Sequence, residues 1–338
     1  MKKILVVSDA WHPQVNGVVR SLSELAAAAP AQGAEISFVT PDLFPNVALP
    51  TYREIRLALA TRGGLRRAIE RLAPDHVHIA TEGPLGLAAR GVCLAEREPF
   101  TSSYHTRFPE YIFARTRLPL RLTYAALRRF HHAASGVMVA TGSLERELGS
   151  RGFSRLMRWS RGVDHALFKP RASVLSLPRP IFLFVGRLAI EKNLGAFLSL
   201  DLPGSKVVVG DGPDRAALQH TYPHAHFLGA RRGVDLAEIY ASADVFVFPS
   251  LTDTFGLVLL EALACGVPVA AYPVPGPLDV IGASGAGVLD HDLRAAALQA
   301  LAIPRELAQS HARQFSWEAS ARQFLTNIRA ARARVAAA

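Results

Sequence analysis

Two carboxylates and a helix that starts at a glycine lie close together between residues 250 and 270. Asp253 lies in a polar loop, and Glu261 follows inside an apolar helix predicted to begin at Gly256 and to stop at Gly266. The first turn of such a helix presents unpaired N–H groups, which suit a phosphate. A carboxylate on so apolar a helix needs a partner. A pair of ligand hydroxyls would satisfy Glu261, and so would a buried arginine.

Basic residues and glycines follow two predicted strands in the second half of the chain. Gly186 and Arg187 come at the end of a strand over 181–186, and Lys192 opens the helix that follows. Guanidinium and ammonium groups at a strand's carboxyl end can neutralise a diphosphate. Gly212 lies in a tight turn after the next strand, where a glycine either lets a ligand approach the backbone or simply makes the turn.

The first half of the chain contributes a glycine and a histidine. Gly17 enters a helix after the first predicted strand, and His105 ends an apolar strand over 100–105. A histidine at this place either supports the structure or faces a cleft. The loop is not GxGxxG, and no acidic residue closes a following strand as in dinucleotide-binding folds, so the sequence argues against a nicotinamide enzyme.

Short β-prone runs alternate with helical patterns along the whole chain, which predicts an α/β protein with parallel sheets. The predicted strands cover 4–8, 35–40, 76–80, 100–105, 136–141, 181–186, 206–210, 225–228, 245–249 and 268–271. A proline-rich linker at 165–180 separates two sheets, whose strands present their carboxyl ends to a shared cleft. The predicted domains are 1–168 and 169–314, with a terminal helix over 315–338.

Positive charge is concentrated in the first half, where residues 1–168 hold 22 Lys/Arg against 14 Asp/Glu. One acid-free basic segment mixes arginines with apolar side chains; its arginines are Arg115, Arg117, Arg121, Arg128 and Arg129. Such segments bind anionic membrane surfaces. Nucleic acid is a second candidate partner, but no nucleic-acid-binding module is visible. The third interpretation is a solvated helix face in a chain with 33 Arg and 5 Lys.

The chain has no run of 18 uncharged apolar residues, so no spanning helix is predicted. The N-terminal apolar run ends at Ser8 and Asp9 without a cleavage signal, which indicates a strand and not a signal peptide. Cys93 and Cys265 lie in apolar surroundings and suggest neither a disulfide scaffold nor a metal site. We expect a cytoplasmic protein, peripheral on the inner face of the membrane.

Taken together, these motifs resemble the retaining glycosyltransferases of family four, which have the GT-B architecture of two Rossmann-like domains facing each other across a cleft. The resemblance covers nearly the whole chain. It rests on VNGVVR at 15–20, HIATEGPLG at 78–86, HTRFPEY at 105–111, WSRGVD at 159–164, VGRLAIEKNL at 185–194, VVGDGP at 208–213 and the segment with Asp253 and Glu261. Two of these phrases are similar to the bacterial branch that makes glycolipids and mannosylated lipids.

The resemblance implies a role for each site residue. His105 would orient the sugar, and Arg187 and Lys192 would stabilise the leaving nucleoside diphosphate. Glu261 would bind the ribose hydroxyls. The donor-binding set is Gly17, Gly186, Gly212, Asp253, Thr254, Phe255, Gly256, Leu257 and Glu261. Family members usually carry glutamate where this chain has Asp253, so altered donor selectivity is expected.

The resemblance also implies transfer with retention, in which the leaving phosphate takes the acceptor proton. The sequence shows no obvious nucleophile–base pair, which agrees with this mechanism. No cofactor and no metal is expected, and the motif Asp290-His291-Asp292 lies outside the site motifs. The expected partners are a UDP- or GDP-sugar, a lipid acceptor such as diacylglycerol and an anionic membrane surface, without nucleic acid. A soluble acceptor, or a non-catalytic nucleotide-sugar-binding module, remains the alternative.

Overall fold

The computed structural model describes residues 1–14, 16–49 and 52–337; the side chains of Leu49, 52–55, Ala114 and Arg115 fall outside that description. The chain divides into two compact units. The N-terminal unit comprises Met1–Arg161 and Trp317–Ala338, and the C-terminal unit comprises Gly162–Ser316.

The elements follow one another in a nearly regular alternation of strand and helix. The strands of the N-terminal unit are β1 (Lys2–Val7), β2 (Ala34–Val39), β3 (Asn46–Leu49), β4 (Tyr52–Ala58), β5 (His76–Ile79), β6 (Phe100–Tyr104), β7 (Gly136–Val139) and β8 (Leu156–Arg158). Those of the C-terminal unit are β9 (Ile181–Val185), β10 (Ser205–Val209), β11 (His226–Gly229), β12 (Val245–Phe248), β13 (Val269–Ala271) and β14 (Gly287–Leu289).

The helices flank these strands. They are α1 (Gly17–Ala28), α2 (Arg62–Leu72), α3 (Pro84–Glu96), α4 (Phe108–Thr116), α5 (Leu120–His131), α6 (Gly142–Ser150), α7 (Leu194–Leu198), α8 (Arg215–Thr221), α9 (Gly233–Ser242), α10 (Leu257–Ala264), α11 (Pro277–Val280), α12 (Leu293–Ala300), α13 (Arg305–Ala312) and α14 (Trp317–Ala336).

The N-terminal unit is built on a parallel sheet with strand order β2-β1-β5-β6-β7-β8. Strands β5, β6 and β7 are buried along their whole length, as expected for the inner strands of a parallel sheet that is covered on both faces. Helix α14 closes one face of this sheet. The indole Nε1 of Trp159 donates to Ser320 Oγ at 3.0 Å, and Phe324 is fully buried in the same apolar cluster.

The C-terminal unit repeats this plan with strand order β11-β10-β9-β12-β13-β14, again parallel. Strand β9 lies near the centre of this sheet, and all five of its residues are buried. Residues 162–168 lie in this unit, because the Val163 N–H donates to the carbonyl of Phe315 and the His165 ring bonds the same carbonyl.

The predicted fold class, α/β with two parallel sheets, is confirmed, and every predicted strand overlaps an observed one. Three features were missed: the antiparallel β3–β4 hairpin, β8 and β14. Strands β8 and β14 have three residues each, which is too short to produce a recognisable apolar run.

Glycines permit close backbone contacts where strands end. A Cβ added at Gly210 would lie 1.8 Å from the carbonyl oxygen of Gly186, and one at Gly86 would lie 1.9 Å from that of Thr81. Neither carbonyl can move without disturbing the end of a strand. These glycines are therefore required by the main chain itself.

We expect Gly210→Ala to lower the free energy of unfolding by more than about 1 kcal/mol, because the new Cβ collides with backbone. The matched control is Gly63→Ala in α2, where the nearest atom is a flexible arginine tip at 3.8 Å. That change should stabilise by about 0.5–1 kcal/mol, since alanine favours a helix. Urea unfolding of both variants measures the difference, and equal effects would contradict it.

Candidate active site

Polar residues collect at the carboxyl edge of the N-terminal sheet, as parallel pairing requires. Asp9 follows β1, Thr81 and Glu82 follow β5, His105 follows β6, and Arg161 follows β8. Each is buried or half-buried. This edge therefore concentrates charged and hydrogen-bonding side chains.

His105 is held as a neutral imidazole of defined tautomer. Its Nδ1 lies 3.1 Å from Nη2 of Arg161, and because a guanidinium only donates, Nδ1 must accept. Burial, together with the charge of Arg161, holds the pKa of His105 well below its usual range. The ring proton therefore lies on Nε2, which makes that atom a hydrogen-bond donor.

Arg161 is fixed by Trp159. Its guanidinium carbon lies 4.0 Å from the centre of the indole ring, and Nη1 donates to the Trp159 carbonyl at 2.6 Å. Burial lowers the pKa of Arg161 to about 9. The side chain that orients His105 is thus itself positioned by stacking and a main-chain bond.

Asp9 occupies the N-terminus of α3. Its carboxylate accepts from the N–H groups of Leu85 and Gly86 at 2.8 and 3.2 Å, and from Thr81 Oγ1 at 2.8 Å. A Cβ at Gly83 would lie 2.5 Å from the Asp9 carboxyl carbon. Burial, the largest effect, raises the pKa of Asp9. The turn at 82–86 therefore binds a side chain of the protein; an acidic residue directly after β1 was the signal that we did not use.

The predicted basic segment forms α4, α5 and their connection. Its exposed apolar side chains and described arginines make up what we call the basic apolar surface: Phe108, Ile112, Phe113, Leu118, Leu122, Arg117, Arg121, Arg128 and Arg129. The guanidinium of Arg117 lies 5.7 Å from the Phe113 ring. Arg128 donates to the carbonyl of Arg151 at 3.0 Å, so this arginine also ties α5 to α6. The side chain of Arg115 lies outside the described residues.

Behind this surface, an ion-pair cluster anchors α4 and α5. Arg107 donates to Glu147 at 2.6 and 3.1 Å, and Tyr124 donates to Glu110 at 2.6 Å. The Arg107–Glu147 pair is half-buried, so solvent screens it less than a surface pair. The exposed apolar side chains therefore stand on a fixed base.

In the C-terminal unit, two predicted donor ligands are bonded to each other. Lys192 Nζ lies 2.6 Å and 2.8 Å from the two carboxylate oxygens of Asp253, joining the loops after β9 and β12. Both side chains keep about a fifth of their surface exposed. Arg187 is half-buried two residues after β9. From the sequence, Lys192 and Asp253 were each expected to contact the donor separately, whereas in the structure they form one ion pair.

Helix α10 begins as predicted, behind a glycine. Gly256 has φ +87°, a conformation that favours glycine, and Leu257 is the first helical residue. Phe255 is buried, while Thr254 is half-buried in the preceding loop. The chain therefore passes from the loop of Asp253 into the helix at Gly256.

Glu261 is buried, and Tyr240 Oη donates to its Oε2 at 2.9 Å. From the sequence, the expected partner of Glu261 was a ligand or an arginine, and not a tyrosine. Tyr240 lies on α9 within a run of buried residues, so its position in the sequence does not distinguish it from a core residue. Its hydroxyl now fixes one carboxylate oxygen in place.

The glycines of the donor set serve the main chain. Gly17 is the first residue of α1, which Asn16 caps by accepting from Val18 and Val19 N–H at 3.0 Å each. A Cβ at Gly212 would lie 2.3 Å from the Leu188 carbonyl oxygen, and one at Gly186 would lie 3.0 Å from the Phe184 ring. The turn interpretation thus holds for Gly212, and ligand contact by these glycines stays a prediction.

Within the described ranges there is no cluster of His, Cys, Asp and Glu suited to a metal. Asp292 instead caps α12 by accepting from the Ala295 N–H at 3.0 Å. The same ranges contain no helix with the length and hydrophobicity needed to cross a bilayer.

Two units with six-stranded parallel sheets, each with its polar residues at the carboxyl edge, define the GT-B class of glycosyltransferases. Sucrose-phosphate synthase from Thermosynechococcus elongatus has this fold, with a TM-score of 0.79, 23% identity, and coverage of 99% of this chain and 100% of that one. Anabaena HepE in complex with UDP and glucose matches with a TM-score of 0.73 and 16% identity, covering 98% and 100%.

Sequence comparison names the family. The profile described as Glycosyltransferase Family 4 matches residues 15–167, and the profile described as Glycosyl transferases group 1 matches 179–303. The chain belongs to the glycosyltransferases of family four, which confirms the predicted family and the enzyme class.

Two curated relatives are similar to this chain over most of its length. A GDP-mannose-dependent alpha-mannosyltransferase of Mycobacterium tuberculosis is 34% identical over 316 residues, covering 85% of this chain and 83% of the relative. An alpha-monoglucosyldiacylglycerol synthase of Streptococcus pneumoniae is 27% identical over 372 residues, covering 95% and 83%.

The buried His105 should make stability depend on pH. Its folded pKa lies well below the unfolded value of 6.5, so the unfolded chain binds the extra proton. The contribution of His105 is complete above pH 6.5 and decreases as pH falls below it, by about 1.4 kcal/mol per pH unit. In His105→Asn, whose amide oxygen can still accept from Arg161, the slope below pH 6.5 should be shallower by about that amount.

Urea unfolding at a series of pH values measures this slope. The control is the exposed His220→Asn, which should leave the slope as it is in the parent protein. If His105→Asn and the parent show the same slope, His105 is not a buried neutral imidazole.

Proposed function

We propose that this glycosyltransferase transfers a hexose, with retention, from a nucleotide-sugar to a lipid acceptor at an anionic membrane surface. The observation that carries the proposal is the Lys192–Asp253 pair, which places a cation and a carboxylate at the carboxyl edge of the C-terminal sheet. Relatives that use GDP-mannose and relatives that make a glucosyldiacylglycerol support it.

The donor diphosphate is assigned to Lys192 and Arg187. A diphosphate offers Lys192 more negative charge than one carboxylate does, and it can take over the ammonium. Asp253 is then released to accept from a sugar hydroxyl. Glu261, with one oxygen fixed by Tyr240, accepts from the ribose hydroxyls. HepE, which binds UDP and glucose on the same fold, supports a nucleoside diphosphate site.

Catalysis in this proposal is electrostatic. Arg187 and Lys192 stabilise the negative charge that grows on the leaving diphosphate. A phosphate oxygen of the leaving group accepts the acceptor hydroxyl's proton as the new glycosidic bond forms on the same face of the sugar. The neutral His105 donates from Nε2 to a sugar hydroxyl and orients it. The proposal includes no cofactor or metal.

The acceptor is assigned to the basic apolar surface on α4 and α5. Exposed Phe, Ile and Leu side chains next to arginines are suited to the boundary between headgroups and acyl chains. The protein would bind the cytoplasmic face of the membrane as a peripheral enzyme, without nucleic acid as a partner.

Turnover should disappear when the donor contacts are removed. With purified enzyme, mixed lipid vesicles and a panel of GDP- and UDP-sugars starting from GDP-mannose, mass spectrometry identifies the product. Lys192→Ala should lower kcat about 10²- to 10³-fold, because it removes a charge that stabilises the leaving diphosphate. Glu261→Ala should mainly raise KM for the donor, because a ribose contact is made equally in the bound substrate and in the transition state. The exposed Lys169→Ala should retain the parent rate.

The outcomes separate the alternatives. No turnover by the parent with any donor, despite tight nucleotide binding, would indicate a non-catalytic binding module. Product of inverted configuration would contradict retention. In the same assay, Asp253→Glu with unchanged rate and donor preference would show that the shorter carboxylate does not set selectivity.

Membrane binding should depend on the basic apolar surface. Replacing Arg121 and Arg129 by alanine should weaken binding to anionic vesicles by about tenfold or more, since each basic residue near the headgroups contributes about 1 kcal/mol. The control replaces two exposed arginines of α2 in the same unit, Arg66 and Arg67, and so makes the same change in charge.

Vesicle co-sedimentation at low and physiological salt measures this binding. Equal binding by the two double variants would contradict the assignment of the surface. Parent activity that is the same with and without vesicles would favour a soluble acceptor.

A further inference from the structure

A cavity lined by both charged and apolar side chains lies in the N-terminal unit, at the edge of the sheet opposite to His105 and Asp9. It has a volume of about 230 Å³ and opens where β1, β2 and β5 begin, beside α14. Ile4, Leu325 and Ile328 form its apolar wall. Its polar residues are Lys2, Gln32, Asp75, His76, Arg329 and Arg332.

His76 brings an unsatisfied polar atom to this cavity. The residue is 4% exposed, and its Nε2 lies 2.9 Å from Thr101 Oγ1. Its Nδ1 is buried and has no hydrogen-bond partner in the part of the chain that the structure describes. Buried polar atoms are nearly always paired. Since His76 lines the cavity, a ligand there would supply the missing partner.

The charge of the cavity selects an anion. Lys2, Arg329 and Arg332 are cationic, whereas Asp75 is the single carboxylate of the lining. Asp75 Oδ2 already accepts from the Lys3 N–H at 2.8 Å, and Arg332 donates to the Asp75 carbonyl. A positive excess therefore remains.

The donors also favour a particular shape of ligand. They come from three elements, β1, β5 and α14, and thus approach the cavity from different sides. An oxyanion with several equivalent oxygens can accept from all of them, and guanidinium groups match phosphate especially well.

His76 must act as a neutral donor. Burial, followed by the charges of Arg332 and Lys2, lowers the pKa of His76 to about 3. The ring can therefore bind an anion only in the tautomer with its proton on Nδ1. In that tautomer Nε2 accepts, so the Thr101 hydroxyl must donate to it.

The tautomer of His76 also constrains the hydrogen bonds of its neighbours in the sheet. Thr101 Oγ1 also lies 2.9 Å from Nδ1 of His78, whose Nε2 lies 2.9 Å from Ser103 Oγ. The Thr101 hydroxyl has one proton, so it can donate to only one of the two histidines. When it donates to Nε2 of His76, it can only accept from His78, whose Nδ1 must then carry a proton. Burial holds the pKa of His78 well below its usual range, so this ring is neutral as well. The Nδ1-protonated tautomer of His76 therefore requires the Nδ1-protonated tautomer of His78.

We propose that this cavity binds a small tetrahedral oxyanion, inorganic phosphate or a phosphate monoester, through Lys2, Arg329, Arg332 and the Nδ1–H of His76. Binding selects the tautomers in which His76 and His78 are both protonated on Nδ1. No part of this proposal depends on the donor or acceptor assigned above.

Histidine nitrogen NMR on the full chain tests it directly. The protein, labelled with ¹⁵N in histidine, is titrated with inorganic phosphate, with sodium chloride of equal ionic strength as the reference. We expect saturable binding with a Kd of about 1 mM or tighter. In the phosphate-bound protein, the Nδ1 signals of His76 and His78 should lie in the protonated range and their Nε2 signals in the unprotonated range.

Variants separate the site from general charge effects. Arg329→Ala with Arg332→Ala, and Lys2→Ala alone, should each weaken phosphate binding at least tenfold, and all three side chains are exposed enough to be removed without loss of the fold. Arg322→Ala, an exposed arginine of the same helix that does not line the cavity, should bind as the parent does.

Two further titrations identify the source of the phosphate. Glycerol phosphate represents a soluble monoester, and vesicles of phosphatidic acid, compared with phosphatidylcholine, represent a lipid headgroup. Saturation by either that is lost in Lys2→Ala supports the site and names its source. Three results would overturn it: no saturable change, equal change with chloride, or parent-like binding in the Arg329/Arg332 double variant. Each would show that the cavity is not the phosphate site proposed here.

Discussion

Parallel pairing of the strands is the constraint on which the rest of this structure depends. It sends every carboxyl end of a six-stranded sheet to the same edge and lets helices cover both faces of that sheet. Charged and polar side chains collect at these edges and in the loops, apart from hydrogen-bonded groups inside the N-terminal sheet such as His78 and Thr101. His105, Asp9 and Arg161 share one such edge, while Lys192 and Asp253 share its counterpart in the C-terminal unit. The opposite edge of the N-terminal sheet is also polar, and the cavity beside His76 lies there.

Within these edges, the protein uses its own side chains as partners for groups that a substrate could address. Lys192 is paired with Asp253, Glu261 with Tyr240, and His105 with Arg161. A buried or half-buried charge without a partner would be costly. Partners of this kind hold the side chains in defined rotamers. In the proposed function, the donor diphosphate competes with Asp253 for Lys192, and the contribution of Asp253 to donor selectivity depends on how readily Lys192 leaves it.

The sequence predicted the elements better than the contacts between them. Long apolar runs identified β1, β9 and β12, and the glycine at 256 correctly placed the start of α10. The short β8 gave no such signal. No local pattern could reveal that Tyr240 bonds Glu261, because the two residues are on different helices and meet only through packing. The tautomer of His105 was equally inaccessible, since it depends on Arg161, far along the chain.

The position of α14 has a consequence for the order in which the protein is made. The N-terminal unit contains residues up to Arg161 and resumes at Trp317, so the whole C-terminal unit is inserted into it. Trp159 cannot bond Ser320, nor can Phe324 fill the apolar cluster, until the ribosome has made the C-terminal unit and the first turns of α14. Domains usually fold in order of synthesis. Here the inserted unit can complete its core first, while one face of the N-terminal sheet stays uncovered until α14 has been made.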